Sequence, residues 1–459
     1  MLRGIKLSEE MLCEKLPNGD IVIYNPGGFA RPFVITGSAL YIFECIQKNV
    51  PVNTNKLTQS SIEKILNIFE NEKIILGWQN SDPKINEGKT VRTSRGKQIS
   101  LWIHTTDLCN LQCEGCYITK GNSVISDETI SNIAKYVKHE AKKRNLKVLN
   151  LKFAGGEPLI AFDQVEKTVK EVKKVLEPVG VKIRLSLISN GTLITENTAR
   201  KLKELNFKVM ISLNGIGSFN NTRPYINGTS SYGDAVKGIE KLLDLNIKPH
   251  IIAVITNESV KGLGLLIDFT AKKGLSLGLS FSRDLNKNRK LKLNATKVSK
   301  LVIKELKRIT EQPWEKIPRI SFNNISFDGK RERVCAAGKS YFAIGTNGSI
   351  STCQMTIEEP INYLGNNKGG TANTTIEKNA LAKKCIDCTW RYVCANGCQA
   401  IAKKSNTIGK TPIMCPIYRQ ILPHLLIYEG RIIQEAMAQH ERRKKHDHSF
   451  QLGNTSSAK

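Results

Sequence analysis

Ten of the twelve cysteines in this chain fall into two groups with spacings typical of metal ligands. The first group reads Cys109-Asn-Leu-Gln-Cys113-Glu-Gly-Cys116-Tyr117. Three thiolates at these spacings can bind three irons of one cubane and leave the fourth iron without a protein ligand. Such an open iron can chelate a small molecule, whereas a cluster used only for electron transfer would favour a fourth cysteine. A zinc knuckle is the alternative for this group.

The second group lies in the C-terminal part of the chain and contains seven cysteines. They are Cys335, Cys353, Cys385, Cys388, Cys394, Cys398 and Cys415. The N-terminus lacks the apolar block of an export signal, and in a reducing compartment clustered thiols bind soft metals rather than form disulfides. The spacing therefore predicts iron-sulfur clusters, with a zinc module as the alternative because Cys-x-x-Cys pairs also bind zinc.

The elements that position the first group alternate between strand and helix patterns from residue 99 to about residue 282. Six such units predict an α/β fold, a partial (β/α)6 barrel with a parallel sheet and an active site at the carboxyl ends of its strands. The first cysteine group follows the first strand, and a Gly155-Gly156-Glu157-Pro158 turn follows the second. One helix is predicted to begin after a serine cap at Ser126.

At this point the residues match a pattern: CNLQCEGCY together with GGEP resembles the radical S-adenosylmethionine (SAM) superfamily, over residues 99 to about 285. The resemblance implies a [4Fe-4S] cluster on Cys109, Cys113 and Cys116 that binds SAM and cleaves it to a 5'-deoxyadenosyl radical. It also implies a set of cofactor contacts, with the Glu157 carboxylate directed at the SAM ammonium. This set comprises Tyr117, Gly155, Gly156, Glu157, Pro158, Ser189, Asn190, Ser212 and Arg223. The superfamily usually has Asp where this chain has Asn214.

The C-terminal cysteines resemble the SPASM domain, which carries auxiliary iron-sulfur clusters in enzymes that modify peptides and proteins. The resemblance assigns Cys335, Cys353 and Cys398 to a first auxiliary cluster. It assigns Cys385, Cys388, Cys394 and Cys415 to a second, fully coordinated cluster. No cysteine lies between residues 319 and 334, so the first cluster is expected to have an open iron or a ligand from elsewhere. Gln354 stands where sulfatase-maturing relatives have an Asp base, which disfavours that activity.

The N-terminal residues 1–78 combine short strands with two helical patterns and resemble a PqqD-like winged helix, which binds the leader of a precursor peptide as an added strand. A DNA-binding winged helix is the alternative, although Lys and Arg are not concentrated there. Cys13 and Cys45 are interpreted as packing thiols. The remaining divisions are a linker at 79–98, the barrel at 99–310, the SPASM domain with a C-terminal helix at 311–437, and a disordered basic tail at 438–459.

The formal net charge of +28 indicates either solvated lysine-rich helix faces or an acidic partner. No apolar run is long enough to span a membrane, so a cytoplasmic protein without a membrane partner is expected. Together the patterns predict a maturase for a ribosomally made precursor peptide, supplied with electrons by a reductase, flavodoxin or ferredoxin. The auxiliary clusters would accept the electron released when an oxidative cross-link closes: carbon-carbon, ether or thioether. A redox-neutral epimerase, a tRNA modifier and a zinc-containing nucleic-acid binder are the alternatives.

Overall fold

The computed structural model describes residues 5–26, 31–53, 55–78, 97–283, 292–313, 317–365 and 382–453. The predicted linker at 79–98 lies almost entirely outside these residues. None of the described helices is long and apolar enough to cross a membrane.

The N-terminal part of the chain forms two small sheets and two helices. Its elements are β1 (Lys6–Leu7), β2 (Leu12–Lys15), β3 (Ile21–Tyr24), β4 (Phe33–Ile35), α1 (Gly37–Gln47), α2 (Gln59–Asn71) and β5 (Ile75–Leu76). Strands β2, β3 and β4 form an antiparallel sheet, and β1 pairs with β5. Alternate residues of β3 face opposite sides: Ile23 packs with α1 and α2, whereas Val22 and Tyr24 belong to the main core. The sheet is therefore buried on both faces.

The six predicted barrel strands form a parallel sheet in sequential order. They are β6 (Gln98–His104), β7 (Val148–Ala154), β8 (Lys182–Ser189), β9 (Lys208–Ser212), β10 (His250–Ile255) and β11 (Leu277–Phe281). The connecting helices are α3 (Asp127–Arg144), α4 (Phe162–Leu176), α5 (Glu196–Glu204), α6 (Tyr232–Asp244) and α7 (Leu263–Lys272). The Ser126 hydroxyl accepts a hydrogen bond from the Thr129 amide at the start of α3, at 3.1 Å. The α/β fold with a mostly parallel central sheet is thus confirmed.

The sheet extends beyond the predicted barrel at both edges. After helix α8 (Ala295–Thr310), strand β12 (Ile320–Phe322) adds parallel to β11. Strand β13 (Tyr341–Ile344) adds parallel to β6 at the opposite edge. Strands β14 (Ser349–Ser351) and β15 (Asn362–Tyr363) continue from β13 in antiparallel order. The cysteine-rich region is therefore continuous with the sheet, which sequence patterns of two to four residues were too short to reveal.

The C-terminal helices are α9 (Lys383–Ile386), α10 (Arg391–Cys394), α11 (Gln399–Lys404) and α12 (Cys415–Gly453). Helix α12 contacts both the N-terminal part of the chain and the end of α8. The Gln434 side-chain amide donates to the Asp20 carboxylate at 2.7 Å, and the Arg431 guanidinium donates to the Thr310 carbonyl at 2.9 Å. The predicted disordered tail at 438–459 differs from the structure, in which α12 continues to Gly453. The segment up to Gly453 contains strong helix formers and no earlier Gly or Pro after residue 430.

Candidate active site and thiol groups

The first cysteine group lies in the loop after β6, at the carboxyl end of the parallel sheet. A segment at 222–225 holds this loop in place, because the Gln112 amide donates to the Pro224 carbonyl at 2.8 Å and the Glu114 amide donates to the Thr222 carbonyl at 2.9 Å. The same segment carries Arg223, whose charge reaches the Cys113 thiol. Backbone pairing thus brings a cation to the cysteines.

The three thiols of this loop lie close enough for their charges to shift one another's pKa. Burial raises the pKa of the Cys113 thiol; the Cys116 and Cys109 thiols raise it further, and Arg223 opposes them. Lys120, which the sequence analysis did not single out, lies within hydrogen-bond reach of the Cys109 side chain. Arg223 and Lys120 would therefore stabilise thiolates at this position.

The Gly155-Gly156 turn packs its backbone directly onto the strand that leads into the cysteine loop. The Gly156 amide donates to the Thr106 carbonyl and the Glu157 amide donates to the Leu108 carbonyl, both at 2.7 Å. A Cβ atom on Gly156 would lie 1.9 Å from the Leu108 carbonyl oxygen, so no larger residue fits. The two glycines thus fix the approach of the chain to Cys109.

The Glu157 carboxylate is completely buried and fully used within the protein. It accepts hydrogen bonds from the Ser189 hydroxyl at 2.8 Å, the Asn190 amide at 2.7 Å and the Leu159 amide at 3.1 Å. These three hydrogen bonds hold the turn after β8, and the contact of this carboxylate with the SAM ammonium stays a prediction.

The turn after β8 is tied to the cysteine loop by side-chain amides. The side-chain amide of Asn190 donates to the side-chain oxygen of Asn110 at 2.8 Å. The side-chain amide of Asn110 donates to the Thr192 hydroxyl at 2.8 Å. Pro158 is buried behind this turn. Ser189 and Asn190 are also buried, so their present role is to position the rim of the sheet.

Asn214 uses both the donor and the acceptor of its side-chain amide, which explains why Asn rather than Asp fits this position. Its nitrogen donates to the Thr222 hydroxyl and its oxygen accepts from the Val254 amide, each at 2.9 Å. An ionised Asp could only accept. Asn214 thereby links the end of β9 to the segment that carries Arg223, while Ser212 is half-buried at the end of β9.

The seven C-terminal thiols separate into the two predicted sets. Cys335, Cys353 and Cys398 lie within electrostatic reach of one another, together with Arg283, which the sequence analysis missed. Burial is the main cause that raises the pKa of Cys353 to about 11. These three thiols and Arg333 line one open pocket.

The second set consists of Cys385, Cys388, Cys394 and Cys415, which lie in α9, in the turn after it, in α10 and at the start of α12. Burial raises the pKa of Cys394 to about 11, and the other three thiols add to this effect. The described part of the chain contains no three His, Cys, Asp or Glu side chains arranged to hold one metal ion. Ligands of a cubane bind separate irons and stand farther apart than ligands of a single ion.

Two half-buried tyrosines lie near the Cys353 set, and one of them, Tyr117, also lies near the first cysteine group. Burial raises the pKa of the Tyr117 hydroxyl, and the Cys116 and Cys353 thiols raise it further. Burial raises the pKa of the Tyr341 hydroxyl, and Cys353, Tyr117 and Cys335 raise it further. This hydroxyl donates a hydrogen bond to the Gln354 side chain. The sequence predicted Tyr117 as a cofactor contact but gave no signal for Tyr341, which only tertiary packing brings here.

Comparison with known proteins supports the assignment of the central region. Residues 103–269 match the Radical SAM superfamily. An uncharacterized protein, MJ0907, of Methanocaldococcus jannaschii is 33% identical over 41% of this chain and 63% of its own length, so the alignment spans less than two thirds of that relative. A cysteine-type anaerobic sulfatase-maturating enzyme of Clostridium perfringens is 25% identical over 69% of this chain and 93% of its own length.

The fold is also similar to that of a solved structure. Native anSMEcpe with bound AdoMet and the Kp18Cys peptide superposes with a TM-score of 0.60, at 21% identity, over 74% of this chain and 99% of that chain. At this identity the similarity concerns the fold. The loop with Cys109, Cys113 and Cys116 and the turn with Gly155 and Gly156 therefore lie in the part of the chain that matches the Radical SAM superfamily.

Proposed function

We propose that the chain is a radical SAM enzyme that matures a ribosomally made precursor peptide by oxidative cross-link formation. The observation that carries this proposal is the convergence of three thiols and Arg223 at the carboxyl end of the parallel sheet, where active sites of such sheets lie. When bound, the cluster and SAM would supply the 5'-deoxyadenosyl radical that abstracts a hydrogen atom from the substrate. Cys109, Cys113 and Cys116 would hold the cluster.

The Cys335, Cys353, Cys398 set and the Cys385, Cys388, Cys394, Cys415 set would hold two auxiliary clusters. They would accept the electron that remains when a substrate radical closes into a cross-link. Tyr117 lies near both Cys116 and Cys353, and Tyr341 lies near Tyr117 and Cys353, which supports an electronic connection between the two thiol groups.

The similarity to sulfatase-maturating enzymes and to a structure with a bound peptide supports a peptide or protein substrate. A sulfatase-type reaction is less well supported, because Gln354 replaces the expected base. Its side-chain oxygen already accepts a hydrogen bond from the Tyr341 hydroxyl. Proton removal from the substrate in the proposed reaction would therefore use a base other than the residue at position 354.

Anaerobic reconstitution with iron and sulfide, followed by dithionite and SAM, tests the chemistry. We expect wild-type protein and Cys13→Ala to release deoxyadenosine, because Cys13 is exposed and belongs to none of the three thiol groups. Cys116→Ala should release none. A precursor peptide encoded beside the gene should lose the mass of two hydrogens. Equal deoxyadenosine release from Cys116→Ala and wild type would refute the proposal.

The antiparallel sheet β2–β3–β4 would bind the leader of the precursor as an added strand. The Leu16 amide donates to the Asp20 carbonyl at 2.8 Å, which sets the alternation of hydrogen-bonded pairs along the sheet. It follows that Cys13 and Val34 direct their backbone N–H groups away from β3, at the two edges. These groups are the donors that a leader strand would use.

Proline at either position removes the outward N–H group and leaves the internal ladder intact. We expect Cys13→Pro or Val34→Pro to weaken leader binding at least about tenfold, with the other variant as its matched control. Circular dichroism checks that both variants fold. Unchanged binding in both folded variants would exclude strand addition at this sheet.

A further inference from the structure

The face of the parallel sheet opposite the helices carries polar and charged side chains among apolar ones. Along β6, Ile99, Leu101 and Ile103 are completely buried on the helix side, so Trp102 and His104 face the other side. Lys152 lies beside Trp102 in the register of β7 with β6. No Asp or Glu occupies an alternating position on this face in strands β6 to β11.

Lys152 is a largely buried cation without a counter-ion among the described residues. Its ammonium nitrogen lies 5.5 Å from the centre of the Trp102 ring, and burial lowers its pKa. Burial lowers the pKa of His250, and the Lys152 charge lowers it further, although two strands separate β7 from β10 in the sheet. Such proximity requires a curved sheet on which these side chains converge. A buried ammonium of this kind favours an anion.

Two further polar atoms lie on this face without a partner among the described residues. They are the indole nitrogen of Trp102 and the Nε2 atom of His104, both buried. The indole N–H can only donate, and burial lowers the pKa of His104 to about 4, so its ring is neutral near pH 7. The His104 ring centre lies 6.4 Å from that of Tyr117, which places the imidazole next to the cysteine loop.

We propose that Lys152, Trp102 and His104 form a binding site for a carboxylate of the peptide substrate. The ammonium would provide charge, and the indole and imidazole would provide hydrogen bonds to the oxygens. The carboxylate could come from an Asp or Glu side chain or from the peptide's C-terminus. This inference rests on the proposed function and adds a substrate class, an acidic peptide, which agrees with the net charge of +28.

Matched peptides test the site directly. Short Gly/Ala host peptides with blocked ends carry either Glu or Gln at the centre, and a third carries Gln with a free C-terminal carboxylate. Binding to the SAM-loaded protein is followed by tryptophan fluorescence under argon. We expect wild type to bind one or both carboxylate peptides about tenfold more tightly than the blocked Gln peptide. The preferred peptide identifies the source of the carboxylate.

Lys152→Met should abolish this preference and leave SAM binding unchanged. Lys152→Arg should keep the preference, and Lys138→Met, on the exposed face of α3, should behave as wild type. Equal affinity for all three peptides in wild type would overturn the inference. A preference that survives in Lys152→Met, or a loss of SAM binding in that variant, would also overturn it, since the cation would then serve another purpose.

Deoxyadenosine release from the same samples separates this inference from the proposed function. Release without any carboxylate preference would refute the site and leave the radical chemistry intact. A lysine-dependent carboxylate preference without release would support the site and refute the proposed reaction.

Discussion

The buried Glu157 carboxylate provides a quantitative test of how the active-site rim is held. Glu157→Gln keeps the shape of the side chain but replaces one carboxylate oxygen with an NH2 group. This group faces the Asn190 amide in place of Oε2, or the Ser189 hydroxyl and the Leu159 amide in place of Oε1. A hydrogen bond to a charged group contributes about 1.5–3 kcal/mol, and the neutral amide costs less to bury. We therefore expect a net local loss of about 2 kcal/mol.

This loss corresponds to about 30-fold faster hydrogen exchange at the Asn190 amide, since about 1.4 kcal/mol is a factor of ten. Hydrogen exchange with mass spectrometry on the cluster-free protein measures it, and the interior of β8 serves as an internal reference. Glu166→Gln is the matched control, because Glu166 forms a half-exposed ion pair with Lys201 and its loss should leave exchange at Asn190 unchanged. Unchanged exchange at Asn190 in folded Glu157→Gln would refute the assigned role.

Three further predictions concern the glycine turn, the auxiliary thiols and pH. Gly156→Ala should destabilise the protein by about 1–3 kcal/mol and abolish deoxyadenosine release, because its Cβ would overlap the Leu108 carbonyl. Thermal unfolding and chromatography measure the two effects. The control Gly233→Ala should be tolerated, because its Cβ would have nothing within 4 Å. The double variant Cys388→Ala/Cys394→Ala leaves only two thiols of the second set and should lower the iron content of reconstituted protein by about four atoms while deoxyadenosine release continues; a content equal to wild type would contradict the second auxiliary site. The folded-state pKa of His104 is about 4, below its usual value of 6.5, so unfolding takes up a proton and stability falls as pH decreases between these values. His104→Phe should remove up to about 1.4 kcal/mol per pH unit of that decline in urea titrations, and identical pH profiles for both proteins would exclude the effect.

Local patterns predicted the elements that are stabilised within short stretches of chain. The alternating apolar residues of β6 to β11 and the Ser126 cap of α3 follow directly from the period of a strand and from the orphan amides of a helix end. The two helices of the N-terminal part were predictable for the same reason. Strands β12 and β13 were not, because segments this short form only when they can pair with the edges of an existing sheet.

The cysteine spacing alone predicted metal-ligating groups, since thiols separated by two or three residues lie close together in any compact loop. Which distant thiols meet was decided by tertiary structure. Cys398 lies near Cys335 and Cys353, and the chain between Cys394 and Cys398 passes through three residues with positive φ, at Ala395, Asn396 and Gly397. The position of Lys152 against Trp102 and near His250 likewise depends on the curvature of the sheet, which arises from strand packing and leaves no trace in a single strand's sequence.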